Sequence, residues 1–540
     1  MKSLVNIKKG LKPFVKNLAL IFAASILFAA SNPNPVFANG LPILAWVAYV
    51  PVFYLLSQVG FGASVFWGAL YGYMAFGFFN YWLTVFHPLA GIIVGSIYLV
   101  YMAALFPILR LATVLFPKRG YILQWLIWIA YEYLRTQGFL GYPYGVTGYS
   151  QWNVLPVIQI AAITGVWGVS ALVVFPSAWL ASAVDDFKAF FRREWPTAAV
   201  WAFLLTATLI YGFTSPIDYS GERKFRAALI QHNTDPWEAS KAATAALALE
   251  AYWTDFRILA RLSNEALEAQ PDTDLVVWSE TAFVPRIYWH STYRDDPASW
   301  RLVSELLEFM RGSGVPFIIG NDDARRDPAL NPIGDNRVDY NAAMYFAEGE
   351  LKGVYRKLHL VPFTEHFPYQ RQLPWVYNAL RNADTHFWER GTEATVFEVA
   401  GIKFSTPICF EDTFGYLSRD FVLNGAEVIV NLSNDAWSGS LSAQMQHLSM
   451  AVFRSVENRR SMVRSTSSGQ TAAIDPNGKI LAMAEPFTES YLNVEVPVIS
   501  GHFTIYTRYG DYLGKTFTVS AFLVLIFGIV LYIMGLRKRR

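Results

Sequence analysis

Apolar residues fall in blocks along the chain rather than evenly. Seven apolar stretches precede Ser215 and one follows Gly514, at 17–30, 41–59, 61–86, 90–116, 121–134, 155–184, 197–213 and 516–536. A helix needs ~20 apolar residues to cross ~30 Å of hydrocarbon, and most of the stretches reach that length. The pattern predicts a polytopic α-helical membrane domain with eight transmembrane helices. Its layout is 1–214 for the first seven, 215–514 for a domain between them and the last, and 515–540 for the eighth with a basic tail. The stretch at 17–30 is short and follows Lys8, Lys9, Lys12 and Lys16, so it also fits a cleaved secretion signal.

Lysine and arginine in short loops set orientation. The N-terminal lysines, Lys118 and Arg119, Lys188, Arg192 and Arg193, and the run from Arg537 to Arg540 all fall on one side of an eight-span arrangement. Loops 31–40 and 87–89 carry none, and Arg135 is the exception. Both termini are therefore expected in the cytoplasm and 215–514 outside it, in the periplasm of a bacterium. Glu132 lies in the fifth stretch, where a carboxylate is costly unless paired, protonated or facing water. Arg135, one turn on, is its candidate partner.

Between the seventh and eighth stretches, short β-rich runs alternate with helix-period segments, the mark of a layered α/β domain. Strands are expected at 226–232, 275–279, 316–320, 342–346, 353–356, 403–408, 428–432, 462–465 and 492–496. Helices are expected at 238–269, 299–311, 413–423 and 443–458. Segments 283–297 and 361–387, with their prolines and aromatics, read as loops able to lie against a membrane surface.

Composition sharpens this picture. Hydrophobic residues make up 53% and charged ones 16%, against about 25% charged in average globular proteins. Lipid is the natural second solvent for that excess. A net charge of +2 provides no field to gather nucleic acid, and a single cysteine excludes an intrachain disulfide and a Cys-based zinc site.

Chemistry is best sought where strands end, because loops there are held by a rigid sheet. Three such ends carry reactive groups: Trp278-Ser279-Glu280, Tyr355-Arg356-Lys357 with Glu365 and His366 beyond it, and Pro407-Ile408-Cys409-Phe410-Glu411. A thiol becomes a nucleophile when a base takes its proton or a cation lowers its pKa from ~8.5. Glu280 could be that base, and Lys357 could hold the charges together and donate to an oxyanion. A histidine-based arrangement with His359, His366 or His447 is the competitor. A lone cysteine is more often a small buried hydrophobe, so the residues alone leave the choice open.

Taken in order, these three motifs resemble the nitrilase, or carbon-nitrogen hydrolase, superfamily with its Glu, Lys, Cys triad. Eight spans flanking such a domain are similar to its membrane-bound branch that acylates bacterial lipoproteins. Lys357 to Pro368, Asn434 to Trp437, Gln446 to Leu448, Glu457 to Arg460 and Glu132 to Arg135 add to the likeness. The resemblance implies an αββα sandwich with Glu280 as general base, Lys357 as electrostatic stabiliser and Cys409 as nucleophile. It implies Glu365 and Glu411 as accessory carboxylates, and Phe410 and Trp437 as substrate-contacting positions. Ser438 and Ser467 depart from it, standing where an aromatic and an asparagine are expected.

The implied substrates are a phospholipid acyl donor such as phosphatidylethanolamine and a diacylglyceryl apolipoprotein, joined through a thioester on Cys409. Making an amide from a thioester is downhill, so no metal, nucleotide or other cofactor is expected. Oligomeric state leaves no mark in the sequence. Two alternatives remain: a membrane-tethered amidase or nitrilase, and a non-catalytic lipid-binding relative.

Overall fold

The computed structural model describes residues 2–86, 88–234, 243–329, 336–382 and 386–539. His87, Arg540 and the start of the helix expected at 238–269 lie outside them. The chain divides into two compact units. One comprises the residues up to Pro216 with Ser438–Ser449 and the segment from Tyr509 onward; the other comprises Ile217–Trp437 and Met450–Arg508.

The first unit is helical. Among the described residues, five helices are long and apolar enough to cross a membrane: Lys12–Ser31, Ala90–Leu115, Val166–Ala183, Phe187–Thr214 and Tyr512–Gly535. The sequence pattern predicts eight; the other three stretches, 41–59, 61–86 and 121–134, form helices that do not reach that measure of length and apolarity. Stretch 41–59 is broken into Pro42–Ala45 and Val50–Gln58, and 61–86 into Phe61–Phe79 and Leu83–Phe86. Stretch 155–184 supplies one of the five, Val166–Ala183, its start set by Gly165 at φ +62°. Gly120–Leu134 has 15 residues. At 1.5 Å per residue it rises about 22 Å. Gly68 and Gly72 lie against the Met102 and Tyr98 backbone with no room for a Cβ, which lets Phe61–Phe79 pack closely on Pro88–Leu115.

Glu132 and Arg135 form no ion pair. Glu132 accepts from Trp128 Nε1 at 3.2 Å, from the Thr147 backbone N–H at 3.2 Å and from the Thr147 hydroxyl. Arg135 instead donates to Tyr98 Oη, Tyr142 O and Tyr144 O at 3.0, 2.7 and 2.9 Å. Segment Ser438–Ser449 is anchored within this unit: Trp82 Nε1 donates to Gln446 Oε1, and Gln446 Nε2 donates to the carbonyls of Pro33 and Phe79.

The second unit holds two six-stranded sheets. Their strands are β1 (Lys224–Gln231), β2 (Leu275–Trp278), β3 (Phe317–Arg326), β4 (Arg337–Ala347), β5 (Glu350–Arg356), β6 (Val396–Val399), β7 (Ile402–Ser405), β8 (Val428–Ser433), β9 (Ser461–Thr466), β10 (Ala472–Ile474), β11 (Ile480–Met483) and β12 (Ser490–Pro497). One sheet runs β12-β1-β2-β3-β4-β5 and the other β11-β10-β9-β8-β7-β6. Every expected strand is present. β6, β10 and β11 are additional, as are helices Ile287–Tyr293 and Pro374–Asn382 within the two segments expected to be loops.

Each sheet has a parallel centre, β1-β2-β3 and β7-β8-β9. Parallel neighbours need crossover connections, and helices Ala245–Ala269, Pro297–Ser313, Gly415–Leu423 and Leu441–Asn458 supply them. Leu259, Leu262, Leu302 and Leu306 pack from the first two helices onto Val276, Trp278 and Phe317. The sheets face each other directly: Ser465 Oγ in β9 donates to Ile230 O and Val277 O, and Phe225 stacks on Phe404. The order is therefore helix, sheet, sheet, helix. The parallel strands end at Trp278 and Ser405, just before Glu280 and Cys409.

Candidate active site

Glu280 sits in a tight turn after β2, with Thr281 at φ +51°. The turn passes so close to β3 that a Cβ on Gly320 would lie 2.6 Å from Glu280 Cα, and only glycine fits there. His232, at the end of β1, receives support from Thr234 at Nδ1 and meets Ser279 Oγ at 3.1 Å through Nε2. Burial pulls this histidine down to about 4, so its ring is neutral.

The Glu280 carboxylate is held on both oxygens. Oε1 accepts from Asn341 Nδ2 at 2.9 Å and from Lys357 Nζ at 3.2 Å, and Oε2 accepts from the Asn434 backbone N–H at 3.0 Å. Lys357 is fully buried between two carboxylates, with Glu365 Oε1 at 2.8 Å on its other side. Burial acts to lower this lysine, but Glu280 and Glu365 outweigh it and hold the ammonium well above the ordinary lysine range. Glu365 Oε2 accepts from the Val361 N–H, and burial pushes this carboxyl up.

Cys409 opens a short 3-10 turn, Cys409–Thr413, with its own φ at +50°. For a residue with a side chain this left-handed conformation costs about 1–2 kcal/mol, and it turns the thiol out of the strand direction. The side chain is half-buried. Burial, Glu280 and Asp435 hold the thiol well above the ordinary cysteine range, with Lys357 pulling the other way. A half-buried thiol with a carboxylate and an ammonium within electrostatic reach has both a proton acceptor and a counter-charge for the thiolate.

Glu411 anchors the turn. It accepts from the backbone N–H groups of Ile408, Leu358 and His359 at 2.8, 2.7 and 2.8 Å and from the Tyr355 hydroxyl. Those bonds tie the Cys409 turn to the chain just beyond Lys357. Burial raises Glu411 to about 7 against them. Phe410 is buried, its ring 5.0 Å from that of Phe414, and Trp437 is half-buried in the turn Ala436–Ser438. Ser467 Oγ donates to Asn434 Oδ1 at 2.6 Å, fixing the loop that backs Glu280.

The structure thus gathers Glu280, Lys357, Glu365, Cys409 and Glu411. Of the alternative histidines, His359 bonds Tyr416 Oη at 2.8 Å, and burial pulls it down to about 4. Asn341, His232 and the Asn434 backbone are additions that strand-end reasoning passes over. The signal for Asn341 is an amide inside an apolar run, Tyr340 to Phe346. Asp322, Asp339 and His386 also cluster, but Arg286 and Arg337 already pair with Asp339 at 3.0 and 3.1 Å.

Residues 226–500 match the carbon-nitrogen hydrolase family, and residues 23–180 match the apolipoprotein N-acyltransferase N-terminal domain. Apolipoprotein N-acyltransferase 1 of Treponema denticola is 44% identical, covering 96% of this chain and 97% of its own length. Its namesake in Treponema pallidum is 45% identical over the same shares, and the apolipoprotein N-acyltransferase of Borreliella burgdorferi is 31% identical over 90% of this chain and 91% of its own. The chain belongs to the apolipoprotein N-acyltransferase family, within the carbon-nitrogen hydrolases.

Proposed function

We propose that this chain N-acylates the α-amino group of the N-terminal S-diacylglyceryl-cysteine of apolipoproteins, with a phospholipid as acyl donor. The observation that carries the reading is a buried lysine clamped between Glu280 and Glu365 beside a half-buried thiol. Family membership supports it over nearly the full length.

In the first step Cys409 Sγ attacks the acyl ester carbonyl of a phospholipid, with phosphatidylethanolamine the expected donor. Glu280 takes the thiol proton, and Lys357 Nζ donates to the oxyanion of the tetrahedral intermediate. Collapse breaks the ester C–O bond; Glu280 returns the proton to the departing alkoxide, and the lysophospholipid leaves a thioester on Cys409. In the second step the α-amine attacks that thioester, Glu280 removes a proton from nitrogen, and as the C–S bond breaks Glu280 passes that proton to sulfur and the thiol is regenerated. Glu365 orients Lys357, and Glu411 fixes the nucleophile turn. Phe410 and Trp437 are the proposed substrate contacts. Water must be kept away from the thioester.

Both substrates are lipid-anchored, so confinement to the bilayer raises their effective concentration. The corresponding layout is 1–214 and 515–540 as membrane parts with eight crossings, both termini in the cytoplasm of a bacterial inner membrane, and 215–514 as the periplasmic catalytic domain. Charge asymmetry in the loops supports this orientation.

The test is direct. Full-length enzyme given phosphatidylethanolamine and a diacylated lipopeptide yields triacylated peptide and lysophospholipid, and mass spectrometry without the peptide finds one acyl chain on Cys409. Cys409→Ala abolishes both. Release of free fatty acid or ammonia without acyl transfer would instead identify a hydrolase.

A further inference from the structure

Arg464 in β9 is fully buried and holds two carboxylates. Its Nε donates to Asp412 Oδ2 at 3.2 Å, while Nη1 and Nη2 both donate to Asp435 Oδ2 at 3.3 Å. Asp412 lies three residues past Cys409 in the same turn. Asp435 follows Asn434, whose N–H supports Glu280. One guanidinium therefore grips both the turn bearing the sulfur and the loop backing the base. Ser433 closes the ring. Its oxygen accepts from Arg464 Nη2 at 3.4 Å and its hydroxyl donates to Asp435 Oδ1 at 3.2 Å.

We propose that Arg464 is a positioning residue for thioester formation: it ties the Cys409 turn to the loop behind Glu280 and offsets the Asp412 and Asp435 charges, which would otherwise oppose a thiolate. The inference rests on Cys409 being the nucleophile. The charges acting on the sulfur are Glu280 after β2, Lys357 after β5 and Asp435 after β8, and Arg464 from β9 is bonded to Asp435 and to Asp412 of the Cys409 turn. Carboxylates outnumber cations, and Lys357 is already shared by two of them. Arg464 is bonded to carboxylates on the other side, Asp412 and Asp435, while Arg454, paired with Glu457, donates to the Thr413 carbonyl of the same turn. Asp435 itself pushes the thiol up, so the guanidinium on its Oδ2 bears on the sulfur.

Cys409 is the only cysteine, so alkylation by iodoacetamide reports on it alone. In the full-length enzyme, Arg464→Met should shift the alkylation profile upward by about one pH unit, a roughly tenfold slower reaction at neutral pH. Acyl transfer should fall with it. Adding Asp412→Asn and Asp435→Asn to that variant should restore alkylation to within about threefold of the parent, because the charges needing compensation are gone. A side chain with only a packing role would not be rescued by neutralising its partners.

Asp435→Asn alone, with Arg464 intact, should speed alkylation severalfold, which keeps the test available if Arg464→Met does not fold. An unchanged profile in Arg464→Met, a neutralised triple variant as slow as Arg464→Met, or no acceleration in Asp435→Asn would each overturn the proposal. Acyl transfer that survives Cys409→Ala would overturn the nucleophile itself, a separate outcome.

Discussion

Glu132, among the apolar helices, and Glu280, at the end of β2, are both almost fully buried carboxylates, 2% and 6% exposed. Their partners differ in kind. Glu132 is met by an indole, a backbone N–H and a hydroxyl, and Arg135 nearby by a phenol and two carbonyls. Glu280 is met by an ammonium that a second carboxylate also grips. Neutral dipoles can anchor a charge in a low-dielectric interior, but they cannot compensate a change in it. A chain of alternating charges can: in the proposed mechanism, when a proton moves from thiol to carboxylate, the field of Lys357 is already in place for the sulfur it leaves behind. The helical unit uses buried charge to fasten loops, and the sheet unit keeps buried charge able to change.

The sharpest way to break this contrast is to remove the cation. Lys357→Met leaves Glu280 and Glu365 facing one another with no counter-charge, so one must take up a proton. Acyl transfer should fall about a thousandfold, since the proposed oxyanion donor goes as well. An unpaired buried charge typically costs about 3–5 kcal/mol, so a lowered thermal midpoint should accompany the loss. Activity within tenfold of the parent would mean that the buried ion chain is structural.

Glu365→Gln is the next largest. The carboxylate uses one oxygen for Lys357 Nζ and the other for the Val361 N–H, and an amide offers only one acceptor. Losing one bond to a charged group is worth about 1.5–3 kcal/mol, or roughly a ten- to hundredfold drop in kcat. KM for the phospholipid should move little, because the group acts on Lys357 rather than on substrate.

How much of this was legible in the sequence follows from the same physics. The reactive residues stand out because apolar β-runs stop at them: Val276 to Trp278 is wholly buried and Glu280 follows. Arg464 is harder to see, because it sits inside β9, where a charged residue in a strand reads as solvent-facing until Asp412 and Asp435 arrive from distant parts of the chain. Pro374 reads as a loop marker, yet in the structure it opens a helix, a position where a missing N–H costs nothing. Gly165 is invisible to hydropathy, and its positive φ is what divides one predicted span. Strand β6 has only four residues, one a glutamate, too few to establish an alternation.

Glu411 gives a smaller effect with a definite sign. Burial raises its folded-state value to about 7 from the ordinary 4.5, so the folded protein binds this proton more tightly than the unfolded chain does. Its contribution to stability is complete below about pH 4.5 and is lost as pH rises through about 7. Glu411→Gln, uncharged throughout, removes that dependence. Thermal melts from pH 5 to 8 should show the parent declining relative to the variant toward high pH, even though the variant starts lower for want of acceptors for its four donors. Acyl transfer should fall about tenfold from loosening of the Cys409 turn. Parallel melting curves would show that Glu411 does not titrate in this range.

Glu132→Gln should do least, and it tests the other side of the contrast. An amide oxygen can still accept from Thr147, whose N–H and hydroxyl both converge on Glu132 Oε1. Glu132 Oε2 lies buried without a hydrogen-bond partner, so its replacement by an amide nitrogen breaks no bond there. Stability should change by no more than about 1–2 kcal/mol in either direction, and acyl transfer by less than about threefold. The reason is the neutrality of the bonded partners: no cation is hydrogen-bonded to this carboxylate, and Arg135, which feels its charge from one turn away, keeps its bonds to Tyr98, Tyr142 and Tyr144. Arg135→Met would strand the Tyr142 and Tyr144 carbonyls instead, and it should be the more harmful of the two. If Glu132→Gln lost activity as steeply as Glu365→Gln, the carboxylate among the helices would be changing its charge during turnover, and the division between fastening charge and working charge would fall.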